Sequence, residues 1–167
     1  IYNHSRYIWH DDYWFNKDKR RVSRLADDSN KLKSVDDLRI YEINIASLEN
    51  GSTFETAKKA VKEASYNGFN AIEIMPVENT YSFNWGYDGV DKLAPSEHLG
   101  GPDELKEFID KAHQNGLNVI MDMVPNHLGP DGASLEQTGP YIKGPNAFGS
   151  AFNFEGNNSR YVRDYND

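Results

Sequence analysis

The stretch Asn118-Val119-Ile120-Met121-Asp122-Met123-Val124-Pro125-Asn126-His127 decides the fold, because it predicts a buried parallel strand with polar residues at its carboxyl end. Strands buried within α/β sheets are nearly continuous apolar runs. A carboxylate inside such a run is costly unless it is paired or hydrogen-bonded, so Asp122 requires a structural or functional reason. Parallel sheets bind ligands at the carboxyl ends of their strands, which makes Asp122, Asn126 and His127 candidate site residues.

The start of this strand is the second copy of a repeat. Residues 115–120, NGLNVI, resemble residues 67–72, NGFNAI, and each copy follows a helical pattern and begins a strand that ends at a proline. An alternating segment earlier in the chain predicts another strand. The predicted elements are strand 38–45, helix 54–67, strand 70–75, helix 103–115 and strand 118–124. Such alternation of strands and helices predicts a parallel α/β sheet.

Capping residues set the predicted helix boundaries. Ser52 and Glu55 fit a capping box at the start of the first helix, and Gly68 predicts a left-handed end. Pro102 lies near the first position of the second helix, and Gly116 ends that helix.

The chain divides into a lead-in and one α/β domain. Residues 1–37 are aromatic, charged and irregular, whereas residues 38–167 carry the predicted sheet. Residues 125–158 are rich in Gly, Pro and Asn and predict a long loop, followed by a helix that begins near Ser159. A doubly wound sheet also fits this order, but the sequence has no GxGxxG or GxxxxGK[ST] motif, which favours a barrel.

Composition excludes several classes of function. The chain has 167 residues and a net charge of −8, which argues against nucleic acid as a partner because nucleic-acid-binding proteins carry basic patches. Its mean hydropathy is −0.77, and no apolar run reaches the length of about 20 residues that a membrane span needs. There is no cysteine, which excludes disulfides and thiol chemistry and is merely compatible with a reducing compartment. The sequence leaves the location unknown, with the cytoplasm favoured.

A second polar cluster, Asn84-Trp85-Gly86-Tyr87-Asp88-Gly89, follows the second strand. Trp85 and Tyr87 offer flat apolar faces with a polar edge, which suit the C–H surfaces of sugar rings, and Asn84 and Asp88 can hydrogen-bond sugar hydroxyls. The alternative is that these aromatic side chains only pack the loop.

The polar residues near the third strand have similar alternatives. Asp122 is either a catalytic carboxylate, a group that orients another, or a residue that ties loops together. Asn126 can supply an oxygen ligand to a hard cation, and His127 can donate a hydrogen bond to a substrate oxygen, or the two can form a local turn. Glu73, in the second strand, is interpreted as a structural acid that faces a neighbouring strand.

Several motifs in order give the chain a resemblance to the α-amylase superfamily of glycoside hydrolases and transglycosidases. Within that superfamily the sequence is most similar to maltooligosyltrehalose trehalohydrolases and to bacterial glycogen branching or debranching enzymes. The motifs that carry the resemblance are Ile40-Tyr41-Glu42, residues 71–77, residues 84–89, Gly100-Gly101-Pro102, residues 122–130 and residues 152–156. The resemblance implies a (β/α)8 barrel, of which this chain holds the first three βα units and the start of the third helix.

The resemblance also implies roles for single residues. Asp122 organises the site without reacting, His127 hydrogen-bonds the sugar at the cleavage subsite, and Tyr87 stacks on that sugar. Trp85 and Asp88 belong to the same sugar-binding motif. Asn126 matches a position that binds structural calcium in many amylases, although the most similar relatives usually lack that ion, so no cofactor is expected. The substrate is expected to be an α-glucan such as starch, glycogen or a maltooligosaccharide.

The groups that react lie on the fourth and fifth strands in this family, and the chain is expected to end before them. Retaining hydrolysis needs a nucleophile and an acid/base carboxyl about 5–5.5 Å apart. The chain alone is therefore predicted to be inactive and to self-associate through exposed barrel edges. The alternative is a degenerate member of the fold that only binds sugar or a protein.

Overall fold

The computed structural model describes residues 34–48, 52–80, 85–130 and 140–156. Its helices and strands are, in chain order, β1 (Ile40–Ile43), α1 (Phe54–Tyr66), β2 (Ala71–Ile74), β3 (Glu78–Thr80), β4 (Gly89–Pro95), α2 (Gly101–Gln114), β5 (Asn118–Met121), β6 (His127–Leu128), β7 (Ile142–Asn146) and β8 (Gly149–Phe152). The lead-in up to residue 33, Asn84 and the helix predicted from Ser159 lie outside the described residues. Among the described residues, no helix is long and apolar enough to cross a membrane.

A three-stranded parallel sheet in the order β1–β2–β5 forms the centre of the fold. Helices α1 and α2 pack against each other and cover one face of this sheet. The largest fully buried side chains of this core are Phe54, Phe108, Ile72, Ile74 and Leu117. The predicted alternation of strands and helices is therefore confirmed, and it corresponds to the first βα units of a barrel.

The first helix begins one residue later than the predicted capping box. Thr53 is the N-cap, its side chain accepts a hydrogen bond from the Thr56 N–H, and the Thr56 hydroxyl oxygen accepts one from the Thr53 N–H at 2.9 Å. The prediction of Ser52 with Glu55 is wrong because Thr53 has the extended backbone that an N-cap requires. Ser52 instead has a φ of 29° and donates to the Leu48 carbonyl at 2.6 Å.

The other helix boundaries agree with the sequence. Gly68 and Gly116 have φ values of 82° and 78°, the left-handed conformation predicted at both helix ends. Pro102 lies in the first turn of α2.

The strand predicted at residues 118–124 is shorter and more exposed than expected. β5 ends at Met121, so Asp122 follows the strand and does not interrupt it. The strand is half-buried, because within the described residues it pairs with β2 on one side only. The Asp122 N–H still donates to the Ile74 carbonyl at 3.0 Å, which holds Asp122 at the carboxyl end of the sheet.

The predicted long loop of residues 125–158 contains regular structure. β6, β8 and β7 form an antiparallel sheet in that order, around the buried side chains of Leu128 and Phe152. A second unpredicted unit, the antiparallel pair β3–β4, lies between β2 and α2. The prediction of a loop is therefore wrong. The sequence indicated a loop because β7 contains Gly144 and Pro145, residues that are typical of loops, and because β6 has only two residues and so shows no periodic pattern.

Candidate functional site

Acidic side chains lie on the face of the parallel sheet that the helices do not cover. Glu42 in β1 is the register partner of Glu73 in β2, and Glu73 is the partner of Ile120 in β5. Asp122 follows Ile120 by two residues, so the alternation of side chains along a strand predicts the same face. The negative charges of Asp122, Glu42 and Glu73 all raise the pKa of Tyr87, which agrees with this arrangement.

Tyr87 and Asp122 form the shortest side-chain contact of the site. The Tyr87 hydroxyl donates to the Asp122 carboxylate at 2.6 Å, although 35 residues separate them in the chain. This hydrogen bond, followed by partial burial and by the charge of Asp122, raises the pKa of Tyr87 to about 12. The phenol therefore stays protonated at neutral pH, and Asp122 fixes the orientation of a ring that is 41% exposed.

His127 is buried at the start of β6. Its Nδ1 lies 2.9 Å from the side-chain oxygen of Asn126. Burial and the positive charge of Lys92 lower the pKa of His127 below 6.5, and these effects outweigh a hydrogen bond to the Tyr87 backbone and the charge of Asp88. The imidazole is consequently neutral at pH 7 and can both donate and accept hydrogen bonds.

A cavity of about 340 Å³ joins these elements, and it is lined by Trp85, Tyr87, Asp88, His127 and Phe148. Four of the five are residues that the sequence predicts for sugar binding. Small-molecule sites typically combine aromatic walls with a few polar groups, as this cavity does.

The remaining predicted residues surround the cavity without lining it. Asp122 contacts the cavity-lining residue Tyr87 through a hydrogen bond, and Asn126 contacts the cavity-lining residue His127. The Asn126 side chain itself is exposed. Glu73 contributes charge from the sheet and does not line the cavity. The fifth lining residue, Phe148, was missed because it lies in the segment predicted to be a loop, where no motif singles it out.

A buried ion pair, which the sequence did not predict, joins the antiparallel strands β3 and β4. Lys92 Nζ of β4 lies 3.0 Å from Glu78 Oε2 of β3, and the two side chains are only 5% and 12% exposed. Burial raises the pKa of Glu78, and the nearby Lys92 charge opposes that rise. Alternation along β4 gave no signal for this pair, because a lysine in a strand is most often solvated.

Two glycines allow close approaches between backbones beneath the cavity. A Cβ at Gly129 would overlap the Asp88 carbonyl, and a Cβ at Gly149 would overlap the Leu128 carbonyl oxygen. The Gly129 N–H also donates to the Gly89 carbonyl at 2.8 Å. Backbone contacts therefore set the spacing between the Tyr87-Asp88 segment and His127.

In the described part of the chain, no group of three or more His, Cys, Asp or Glu side chains could hold a metal ion. The oxygen of Asn126 is already engaged with His127. The expectation that the protein needs no cofactor stays a prediction.

Comparison with known proteins bears on the family of this chain. Residues 65–146 match the family model described as "Alpha amylase, catalytic domain". The chain is 41% identical over 130 residues to a malto-oligosyltrehalose trehalohydrolase of Rhizobium sp. (strain M-11), and the match covers 75% of this chain and 22% of that protein. It is 38% identical over 143 residues to the enzyme of that name from Saccharolobus solfataricus, covering 83% of this chain and 26% of the relative.

A 1,4-alpha-glucan branching enzyme from Cutibacterium acnes is 31% identical over 137 residues, covering 81% of this chain and 20% of that enzyme. The chain thus spans about a quarter or less of the length of several curated relatives that it matches.

Solved structures show the same fold. The alpha-amylase of Geobacillus thermoleovorans matches with a TM-score of 0.70 at 19% identity, covering 80% of this chain and 36% of that one. An Anoxybacillus alpha-amylase matches with a TM-score of 0.69 at 19% identity, covering 80% of this chain and 37% of that one.

Proposed function

Because its residues 65–146 match the alpha-amylase catalytic domain, this chain belongs to the alpha-amylase family, and we propose that it is part of a retaining glycosidase or transglycosidase that acts on α-glucans. The proposed substrates are starch, glycogen or maltooligosaccharides. In this proposal Asp122 organises the site, Tyr87 stacks on the sugar at the cleavage subsite, and His127 hydrogen-bonds that sugar.

The hydrogen bond between Tyr87 and Asp122 is the observation that carries this proposal. It places the exposed ring of Tyr87 at the carboxyl end of β5, near His127. The neutral imidazole of His127 can donate a hydrogen bond to a hydroxyl group or accept one from it. An aromatic face next to uncharged and charged hydrogen-bonding groups suits a sugar, whose rings have apolar C–H faces and polar rims. A phosphorylated substrate would favour cationic groups, whereas Asp122, Glu42 and Glu73 make this region acidic.

The test is turnover of maltooligosaccharides by the full-length protein. Asp122→Asn and His127→Ala are expected to lower kcat/KM by at least a hundredfold, because Asp122 orients the Tyr87 ring and His127 hydrogen-bonds the sugar, and both hold the sugar in its reactive position directly or indirectly. Asp103→Asn is the matched control, since Asp103 is an exposed carboxylate in the first turn of α2. A full-length protein that binds maltooligosaccharides but does not turn them over supports a degenerate binding member and contradicts the proposed enzyme.

We further propose that the isolated chain is inactive, because the proposal assigns the role of nucleophile or acid/base to none of the carboxylates in the described part of the chain. Purified chain is expected to leave starch, maltodextrin and a chromogenic maltoside unchanged. Hydrolysis that disappears in Asp122→Asn would overturn this expectation.

The isolated chain is also proposed to associate with a second copy of itself. Within the described residues β1 and β5 each pair on one side only, and Met121 and Met123 are exposed beside an apolar cavity of about 530 Å³. Unpaired strand edges and exposed apolar surface promote pairing between chains. A strictly monomeric species in sedimentation at high concentration counts against this proposal.

A further inference from the structure

Phe148 is an exposed aromatic residue held next to the candidate site. It lies in the two-residue connection between β7 and β8, and its side chain is 69% exposed. Its ring centroid is 5.9 Å from that of His127, with the ring planes tilted by 39°. A large apolar side chain that stays exposed at the rim of a cavity contributes little to the core, so it is a candidate for ligand contact.

Backbone interactions fix the position of Phe148. The Asn146 side-chain oxygen accepts hydrogen bonds from the N–H groups of Phe148, at 2.7 Å, and Gly149, at 3.0 Å. Gly149 follows with a φ of 146° and lies against the Leu128 carbonyl, where a Cβ would not fit. Backbone contacts therefore hold the tip of the β7–β8 hairpin against β6. The position of Phe148 does not depend on burial of its own side chain.

Three aromatic side chains besides His127 line the cavity. Tyr87, Trp85 and Phe148 all line it, and Trp85 is 60% exposed. In the proposed function, Tyr87 and His127 serve a single glucosyl unit. Trp85 and Phe148 then remain available to contact a neighbouring unit, while Asp88 offers a hydrogen-bonding group between the aromatic faces.

We propose that Phe148, together with Trp85, forms an aromatic platform for a second glucosyl unit, next to the unit held by Tyr87 and His127. This inference rests on the proposed function, because it takes the α-glucan as the ligand. Phe148 is then a specificity-determining residue: it favours ligands of two or more linked units over a single sugar.

The test uses calorimetric binding by the full-length protein to methyl α-glucoside, maltose and maltotriose. Phe148→Ala is expected to weaken maltose and maltotriose binding about three- to tenfold, the size of a lost aromatic contact, and to leave methyl α-glucoside unchanged. Phe148→Tyr keeps the aromatic face and is expected to restore binding.

Phe154→Ala is the matched control. Phe154 is an equally large side chain in the same segment, 47% exposed, but it contacts Phe152 and does not line the cavity. We expect this substitution to leave the binding of all three ligands unchanged.

Three results would overturn the platform. The first is that Phe148→Ala and Phe154→Ala change the binding affinities equally. The second is that Phe148→Ala weakens the binding of all three ligands equally and lowers the melting temperature, and the third is that Phe148→Tyr fails to restore binding. The second result would mean that Phe148 only supports the fold.

A further ligand, cellobiose, separates failure of the platform from failure of the proposed function. Wild-type protein that binds cellobiose but not maltose contradicts the α-glucan assignment, and the comparison of one unit with two is then made on β-linked sugars. Wild-type protein that binds none of these sugars overturns both proposals.

Discussion

The parallel sheet and the antiparallel segments of this molecule differ in how they are stabilised. β1, β2 and β5 share one continuous core with α1 and α2, in which residues such as Phe54, Ile72 and Phe108 are fully buried. Among the described residues, the antiparallel sheet of β6, β7 and β8 has Leu128 and Phe152 as the buried apolar residues of its own cluster. The parallel part gains its stability from buried area, whereas the antiparallel part depends on local backbone contacts and supplies His127 and Phe148 to the cavity.

The largest expected effect lies in the parallel core. Phe108→Ala removes a fully buried ring of α2 that is 6.4 Å from Phe54 between ring centroids, so we expect a loss of about 4 kcal/mol in the free energy of unfolding. Phe152→Ala, the matched change in the antiparallel sheet, is expected to cost clearly less, because its cluster is small. Urea denaturation of the full-length protein measures both, and equal losses would show that the two parts form one cooperative core.

A smaller effect is expected between the two parts, at the buried Glu78–Lys92 pair. Lys92→Met leaves Glu78 buried without its cation, which we expect to cost about 3 kcal/mol at pH 7. Glu78→Gln combined with Lys92→Met removes both charges and is expected to recover most of that loss.

The cost of Lys92→Met is also expected to depend on pH. Burial already raises the pKa of Glu78 above 4.5, and loss of Lys92 raises it further. An acid with a raised folded-state pKa gives stability that is complete below its unfolded pKa and is lost as pH rises through the folded value. The Lys92→Met protein should therefore lose stability, relative to the parent, between about pH 4.5 and neutrality, and denaturation at several pH values checks this. A pH-independent cost contradicts the burial of Glu78.

How much the sequence predicts differs between the two parts for a physical reason. The parallel part follows periodic rules, so helix ends at Gly68 and Gly116 and the positions of β2 and β5 were foreseen to within a few residues. The antiparallel strands have two to seven residues, and β7 contains Gly144 and Pro145, so their pairing depends on partners distant in sequence. Tertiary context of this kind leaves no local pattern.

The candidate site follows the same division. Residues of the compact motifs, such as Tyr87 and His127, were identified from the sequence and lie together in the structure. The sequence did not identify Phe148, Glu78 or Lys92. Glu78 and Lys92 meet only when β3 pairs with β4, and Phe148 reaches the cavity only when β8 pairs with β6.

The contact that joins the two parts at the site gives a spectroscopic prediction. In Asp122→Asn the Tyr87 hydroxyl loses its hydrogen bond to a carboxylate, so its pKa should fall from about 12 towards 10. An NMR titration of ring-labelled tyrosine measures this change, with Tyr87→Phe identifying the resonance among the ten tyrosines of the chain. An unchanged pKa would contradict the contact between β5 and the Tyr87 segment.

The smallest expected effect tests the corrected start of α1. Thr53→Ala removes the N-cap side chain and is expected to cost about 1 kcal/mol of stability. Glu55→Gln, at the position first expected to complete the capping box, should change stability by less than about 0.5 kcal/mol because its side chain is exposed. Thermal unfolding compares the two, and the reverse order would restore the original capping assignment.

The glycines at positions 129 and 149 also bear on how the specificity of this site can change. The carbonyl groups of Asp88 and Leu128 occupy the space where side chains at positions 129 and 149 would be, so close main-chain contacts support both sides of the cavity. We therefore expect substitutions of Trp85 and Phe148 to leave the backbone at Tyr87 and His127 in place. Evolution, or a protein engineer, can vary ligand length at these two positions provided that both glycines are kept.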